Sequence, residues 1–188
     1  MLRQEDIDFC TDHRKGLNTV TEDDIASVFN RFIISYQLYH RLFDRLPDAL
    51  TALSQPIPKN DDQNNTRATT YVTKYLDGAK ILANLTDKKL DDDIAFLTMV
   101  LDNRAFHITF NADGKYLEDK DKQLAQEIKS TNPEIKAKAI LRIVYQIRCN
   151  MEHSRKHMEE HQRYLVSAVT RITQAVTDQL YDKLAAQK

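Results

Sequence analysis

The stretch IASVFNRFIISYQLYHRLFDRL, residues 25–46, decides the fold. Apolar side chains recur in it at Ile25, Val28, Phe29, Phe32, Ile33, Tyr36, Tyr39, Leu42, Phe43 and Leu46, and Leu50 continues the series. Steps of three and four follow one face of an α-helix, where a strand would alternate. Thr21-Glu22-Asp23-Asp24 just ahead reads as a helix start. Threonine can cap, and acids in a first turn complement the positive end of the helix dipole. Pro47 ends the helix or kinks it. The tyrosines and phenylalanines of this face read as core, in preference to a base-stacking platform.

The composition agrees. The chain has 3 Gly and 4 Pro in 188 residues, against roughly 13 and 9 at ordinary abundance. A chain so poor in turn formers does not build a β-sandwich, a β-barrel or a glycine-looped nucleotide fold. Charged residues make up 29% and hydrophobic ones 41%, the balance of a globular protein. No apolar run is long enough to span a membrane. No secretory signal is visible in Met1–Cys10, so a cytoplasmic location without membrane association is expected.

Further helices follow from the same reading. Gln55 to Thr66 holds Pro56, Pro58 and the run Asn60-Asp61-Asp62-Gln63-Asn64-Asn65, which predicts a mobile loop. One helix is expected over about 67–85 and another over 91–101. Residues 105–110 read as one short strand or as extended chain before the turn Asn111-Ala112-Asp113-Gly114. A short charged helix is expected over 121–130. The acidic runs Asp91-Asp92-Asp93 and Glu118-Asp119 read as solvated caps. Asn132-Pro133 is a start signal, an Asn cap with Pro in the first turn. From it runs the stripe Ile140, Val144, Ile147, Met151. A second stripe, Met158, Leu165, Val169, Ile172, Val176, Leu180, reaches the end. Glu152 to His157 has no aliphatic residue, so two helices with a break are expected in place of one long helix. The fold expected is all-α, an antiparallel helical bundle of about five to seven helices. It is a single domain over 1–188, with residues 1–20 peripheral.

Net charge is −1, from 27 basic and 28 acidic residues, so no global cationic field attracts nucleic acid. The distribution is uneven. Residues 136–163 hold seven Lys/Arg against three Glu, together with three of the six histidines. Within them, Tyr145-Gln146-Ile147-Arg148-Cys149-Asn150-Met151-Glu152-His153 combines an Arg, an Asn and a His at the end of an amphipathic helix. An Arg and a His together suit phosphodiester chemistry. The guanidinium forks onto phosphate oxygens, and the imidazole titrates near neutrality and can move a proton. RNA carries its own nucleophile, the 2′-hydroxyl, so no metal is needed. On a continuous helix, Arg148 and His153 would point about 140° apart. They converge only if the helix ends between them or a second chain supplies one of them.

Other readings compete. Asn150 could be a helix C-cap. Cys149 reads as a small hydrophobe. Cys10 and Cys149 are too few for a disulfide framework and read as reduced thiols. His153, His157 and His161 recur every four residues, a spacing that can chelate a metal on one helix. The HEXXH pattern is absent, and Arg155, Lys156 and Arg163 would repel a cation. A solvated polar face is therefore expected, with no metal and no cofactor.

YQIRCNMEHSRK, residues 145–156, follows an Ala/Lys/Ile-rich helix and leads into a long final helix. In this it resembles the signature of the HEPN domain superfamily, and most closely its stand-alone bacterial members. That signature is an Arg, four to six residues, then a His, with a polar residue, commonly Asn, just after the Arg. Here Cys149 holds the position after the Arg and the Asn is displaced to 150. Glu152 replaces an apolar residue before the His, and Ser154 replaces a following Gly. The resemblance implies an all-α bundle and a homodimer whose two motifs face each other. It also implies metal-independent endoribonuclease activity, often as a toxin or in defence against phage. Arg148 would bind the scissile phosphate, His153 would be the acid/base and Asn150 an auxiliary polar residue. Arg155, Lys156 and Tyr145 are the candidate substrate-binding residues. RNA, a second copy of the chain and an antitoxin protein are the expected partners. The alternative is a non-catalytic HEPN-like module that binds RNA, nucleotide or protein.

Overall fold

A computed structural model describes residues 2–19, 24–57, 63–111, 113–152 and 159–187. Helix α2, Ile25–Phe43, forms where the periodicity places it. Its cap is Asp24, whose carboxylate accepts the Ser27 N–H at 3.0 Å and the Ser27 hydroxyl at 2.6 Å. Thr21, the expected cap, lies outside the described residues. The helix stops short of Pro47, which lies in the first turn of α3, Leu46–Ala52, where its missing N–H leaves no bond unmade. Phe32, Tyr39, Leu42 and Phe43 are fully buried, each worth about 1.5–3 kcal/mol of transfer free energy.

The closing helix α10, Arg163–Ala185, lies along α2. Its stripe Leu165, Val169, Ile172, Val176 and Leu180 is buried in the same core, and Gln174 donates to the Ser35 hydroxyl at 3.0 Å across the pair. The chain is an all-α helical bundle. Among the described residues the only β-type pairing is one antiparallel bridge, Phe110 to Tyr116. No helix of the described residues is long and apolar enough to cross a membrane.

The first twenty residues, expected at the periphery, hold helix α1, Gln4–Thr19, packed on α2. Cys10 is buried, and the Asp6 side chain is fully so. Arg41 Nε and Arg45 donate to one oxygen of Asp6 at 2.6 and 2.7 Å, and the Arg3 N–H donates to the other at 3.1 Å. Burial raises the Asp6 pKa, but the Arg45 hydrogen bond, the Arg3 N–H and the two guanidinium charges more than offset it. The carboxyl stays below its ordinary range.

The single helix expected over 67–85 is corrected to a broken series. Gln63–Thr66 is already helical (α4), although the sequence assigns it to the loop; residues 58–62 of that loop lie outside the described residues. A π-helical turn follows at Arg67–Tyr71, with the Tyr39 hydroxyl donating to the Ala68 carbonyl inside it. Helix α5, Val72–Leu76, then ends at Asp77, which has φ 77° and caps α6, Gly78–Asp87. The Asp-Gly pair at 77–78 is a turn signal that the apolar periodicity overrode. Glycine is required here: a Cβ at position 78 would lie 2.7 Å from Glu134 Cα and 2.8 Å from the Pro133 carbonyl oxygen.

Helix α7, Asp91–Asp102, matches its expectation. Asp93, read as a solvated cap, instead pairs bidentately with Arg171 at 2.8 and 2.5 Å. Helix α8 runs from Glu118 to Glu127, three residues earlier than expected. Helix α9, Pro133–Glu152, starts at Asn132, whose side chain accepts the Glu134 N–H at 2.9 Å. Glu159 is extended at φ −125°, ψ 144°, so α9 and α10 are separate helices. A 3-10 turn, Glu160–Gln162, leads into α10.

Two outcomes follow. Gly78→Ala is expected to lose about 1–3 kcal/mol by overpacking, read from the urea midpoint, because the obstructing atoms are backbone. Because folding lowers the Asp6 pKa, its contribution is complete above the ordinary value near 3.8 and is lost as pH falls through the lowered one. Asp6→Asn should therefore be less stable at neutral pH and show a shallower acid loss, measured by denaturation at a series of pH values.

Candidate functional site at the end of helix α9

The last turns of α9 carry a buried stripe, Ile147 with Met151 packed against the same core. Arg148 and Asn150 project about 160° from each other across that stripe by helical geometry, taking Ile147 as reference. The two neighbourhoods differ. The Arg148 guanidinium carbon lies 5.3 Å from the centre of the Tyr36 ring of α2, a cation–π contact. Arg148 itself is only partly buried.

Asn150 is buried and faces the connection between α7 and α8. Its amide nitrogen donates to the Ile108 carbonyl at 2.8 Å. The Asp121 carboxylate grips the same segment from the other side, accepting the Ile108 and Thr109 N–H groups at 2.9 Å each. Ile108 thus has both backbone groups held by buried side chains. The Tyr116 hydroxyl also bonds to Asp121. Burial first, then the Asp121 charge and that hydrogen bond, raise the Tyr116 pKa. Nothing in the local sequence marks Asp121 for this role; it reads as one acid of a charged helix.

Two imidazole stacks decorate this strap. His107 lies on Tyr116 with centroids 3.8 Å apart and 14° between planes. His161, in the 3-10 turn before α10, stacks on Phe106 at 5.3 Å and 9°. Its Nδ1 is 3.0 Å from Glu159 Oε2, and both side chains are 58% exposed.

Between strap and helices is a cavity of about 30 Å³, bounded by Phe29, Phe106, Ile147, Asn150, Met151 and Gln162. Asn150 Oδ1 is buried there with no hydrogen-bond partner. A water-sized group fits there and would satisfy this acceptor.

His153, Arg155 and Lys156 lie outside the described residues, as does His157. Tyr145, a candidate substrate-binding residue, has its side chain buried in the core. Asn150 is equally buried, with its donor committed to the backbone of residue 108. The local positive charge is partly neutralised: Arg142 pairs with Glu127 at 2.6 Å and Arg163 with Glu160 at 2.5 Å. Cys149 is partly buried and packed against the core, and it is a free thiol like Cys10, whose pKa is raised by burial. Among the described residues no three His, Cys, Asp or Glu side chains converge as a metal site.

No protein-family model matches this chain, and neither does any curated protein or solved structure. The HEPN likeness therefore stands on residues 145–156.

Asp121→Asn replaces an acceptor by an NH₂ group facing a buried backbone N–H. A loss of about 1–3 kcal/mol is expected from the unpaired donor, and the Ile108 and Thr109 amides should exchange hydrogen faster. Asn150→Ala should fall in the same range, by orphaning the Ile108 carbonyl. Unchanged denaturation midpoints would remove the two-sided clamp from the account.

Proposed function

We propose that this chain is a metal-independent endoribonuclease of the HEPN type, acting as a homodimer with a composite Arg148/His153 site. The observation that carries the reading is the Arg148-x4-His153 spacing at the junction of α9 and α10. Arg148 stands partly exposed near the end of α9, just before the segment bearing His153, Arg155 and Lys156. The Tyr36 ring supports one face of its guanidinium. A phosphate would be gripped through the guanidinium N–H donors, which lie along its edge.

In this reading Arg148 neutralises the phosphate as charge builds in the transition state. His153 transfers a proton. Arg155 and Lys156 hold the strand by backbone charge, which makes binding salt-dependent but not sequence-specific. Asn150 does not touch RNA; it holds the strap against α9. Tyr145 is likewise structural. A toxin or phage-defence role, with an antitoxin as partner, and a cytoplasmic location belong to the same proposal.

One observation favours a second reading, a non-catalytic module that binds RNA or a protein. The polar residue that accompanies the Arg in the HEPN pattern is here consumed in the fold.

Purified protein incubated with mixed RNA in EDTA separates the two. Cleavage is expected, and Arg148→Ala and His153→Ala should each lower it by at least about 10²-fold with unchanged helicity by circular dichroism. Mixing the two inactive variants should restore part of the activity, because one site of a mixed dimer is intact. RNA that stays intact while still bound supports the module; full activity in either variant overturns the assignment.

A further inference from the structure

A half-open cleft of about 350 Å³ lies where α1, α2 and α10 meet. That is the small end of the range for ligand pockets, roughly 300–1,000 Å³. Leu17 of α1 and Leu38 of α2 give it apolar walls. Each of the three helices also turns polar groups toward it: Arg14 from α1, Ser35 from α2, and Gln174, Thr177 and Asp178 from α10. Ser35 and Thr177 are almost fully buried, 1% and 3% exposed. Apolar walls with a few convergent polar groups are the general character of small-molecule sites.

The hydrogen bonds inside the protein decide what these groups can still offer. Ser35 donates its hydroxyl proton to the Arg31 carbonyl at 2.7 Å, and Thr177 donates to the Thr173 carbonyl at 2.6 Å. Each hydroxyl then presents only lone pairs to the cleft, and Ser35 already uses one to accept from Gln174 Nε2 at 3.0 Å. Asp178 adds a carboxylate, of which Oδ1 accepts from Arg14 Nη2 at 2.7 Å. This end of the cleft is thus a set of acceptors. It calls for a ligand group with several donors at one point, and a primary ammonium is such a group. Arg14 presents the opposite chemistry. Its guanidinium has N–H donors beyond the one given to Asp178, in the fork that matches a carboxylate. The Tyr181 ring, 4.5 Å from its central carbon, holds it in place, and the side chain is 39% exposed, so a small molecule can reach it.

We propose that this cleft binds a free α-amino acid with an apolar side chain. The ammonium sits against Asp178 and the two hydroxyls, the carboxylate against Arg14, and the side chain between Leu17 and Leu38. The charges match in sign and spacing: Arg14 and Asp178 are direct neighbours, as are the ammonium and carboxylate of an α-amino acid, so the two pairs lie head to tail. A simple amine would meet the repulsion of Arg14, and a simple carboxylate that of Asp178. The end of a peptide carries only one of the two charges. The cleft shares no lining residue with the Arg148 neighbourhood, and the inference does not rest on the ribonuclease reading.

The test is isothermal titration calorimetry of the full chain with L-leucine as the probe, which should show saturable one-to-one binding. Isocaproate, which is leucine without its ammonium, and isoamylamine, which is leucine without its carboxylate, should each bind at least about 10-fold more weakly, as the loss of one charged hydrogen-bonded contact implies. Arg14→Gln and Asp178→Asn should weaken L-leucine by a similar factor while helicity by circular dichroism stays unchanged. In the wild type, nuclear magnetic resonance should show the Leu17 and Leu38 methyl signals shifting as L-leucine is added. No saturable binding of L-leucine or of any other apolar amino acid at millimolar concentration overturns the proposal. Binding that either truncated probe equals, or that leaves the Leu17 and Leu38 signals unmoved, overturns it as well.

Discussion

The burial of α2 against α10 is the constraint on which the other elements depend. The two helices lie far apart in sequence yet share the most extensive helix–helix contact among the described residues. Each presents a largely apolar buried face, and a hydrogen bond from Gln174 to the Ser35 hydroxyl bridges the pair. With that pair fixed, α1 has one place to dock, over the guanidiniums of Arg41 and Arg45 on and just after α2. The start of α10 is fixed as well, and with it the 3-10 turn that carries His161.

The second organising feature is polar. A connection between helices would ordinarily lie on the surface with solvated backbone. Here Ile108 and Thr109 are buried, so their N–H and C=O groups need partners inside the protein. Asp121 supplies two acceptors and Asn150 one donor. A buried carboxylate with two N–H bonds is well solvated by the protein itself, which explains how a charged residue of α8 comes to be only 5% exposed. The same logic explains why an asparagine near the end of α9 is held so firmly: its substitution would strand the Ile108 carbonyl.

Local periodicity made the bundle legible. The faces of α2, α9 and α10 emerge from spacing alone, as do the Asn132 cap and the separation of α9 from α10, because each depends on neighbours within one or two turns. The errors share a cause. Apolar spacing continues across Asp77-Gly78, so periodicity alone predicts one helix over 67–85. The break is enforced by the backbone of Pro133 and Glu134, more than fifty residues away in sequence. Helix α1 has a weak apolar face, and it docks through a buried ion pair that no periodicity reports. At the candidate site, Arg148 and Asn150 look like one polar cluster in the sequence. Only the partners on either flank, Tyr36 and Ile108, separate them.

That separation makes the two flanks of the α9 end physically unlike. The Asn150 flank is packed: its side chain is buried and its amide donates to the Ile108 carbonyl. The Arg148 flank is partly open and rests on an aromatic ring whose face attracts the cation and limits its rotamers. A guanidinium so held loses less freedom when it grips an anion than a freely rotating one would. Near the C-terminal end of α9 the helix dipole favours positive charge. A phosphate that reaches this end of the bundle therefore meets charge on the Arg148 side and packed structure on the other. The asymmetry of the two flanks, more than the presence of an Arg and a His in one segment, is what gives the motif a direction.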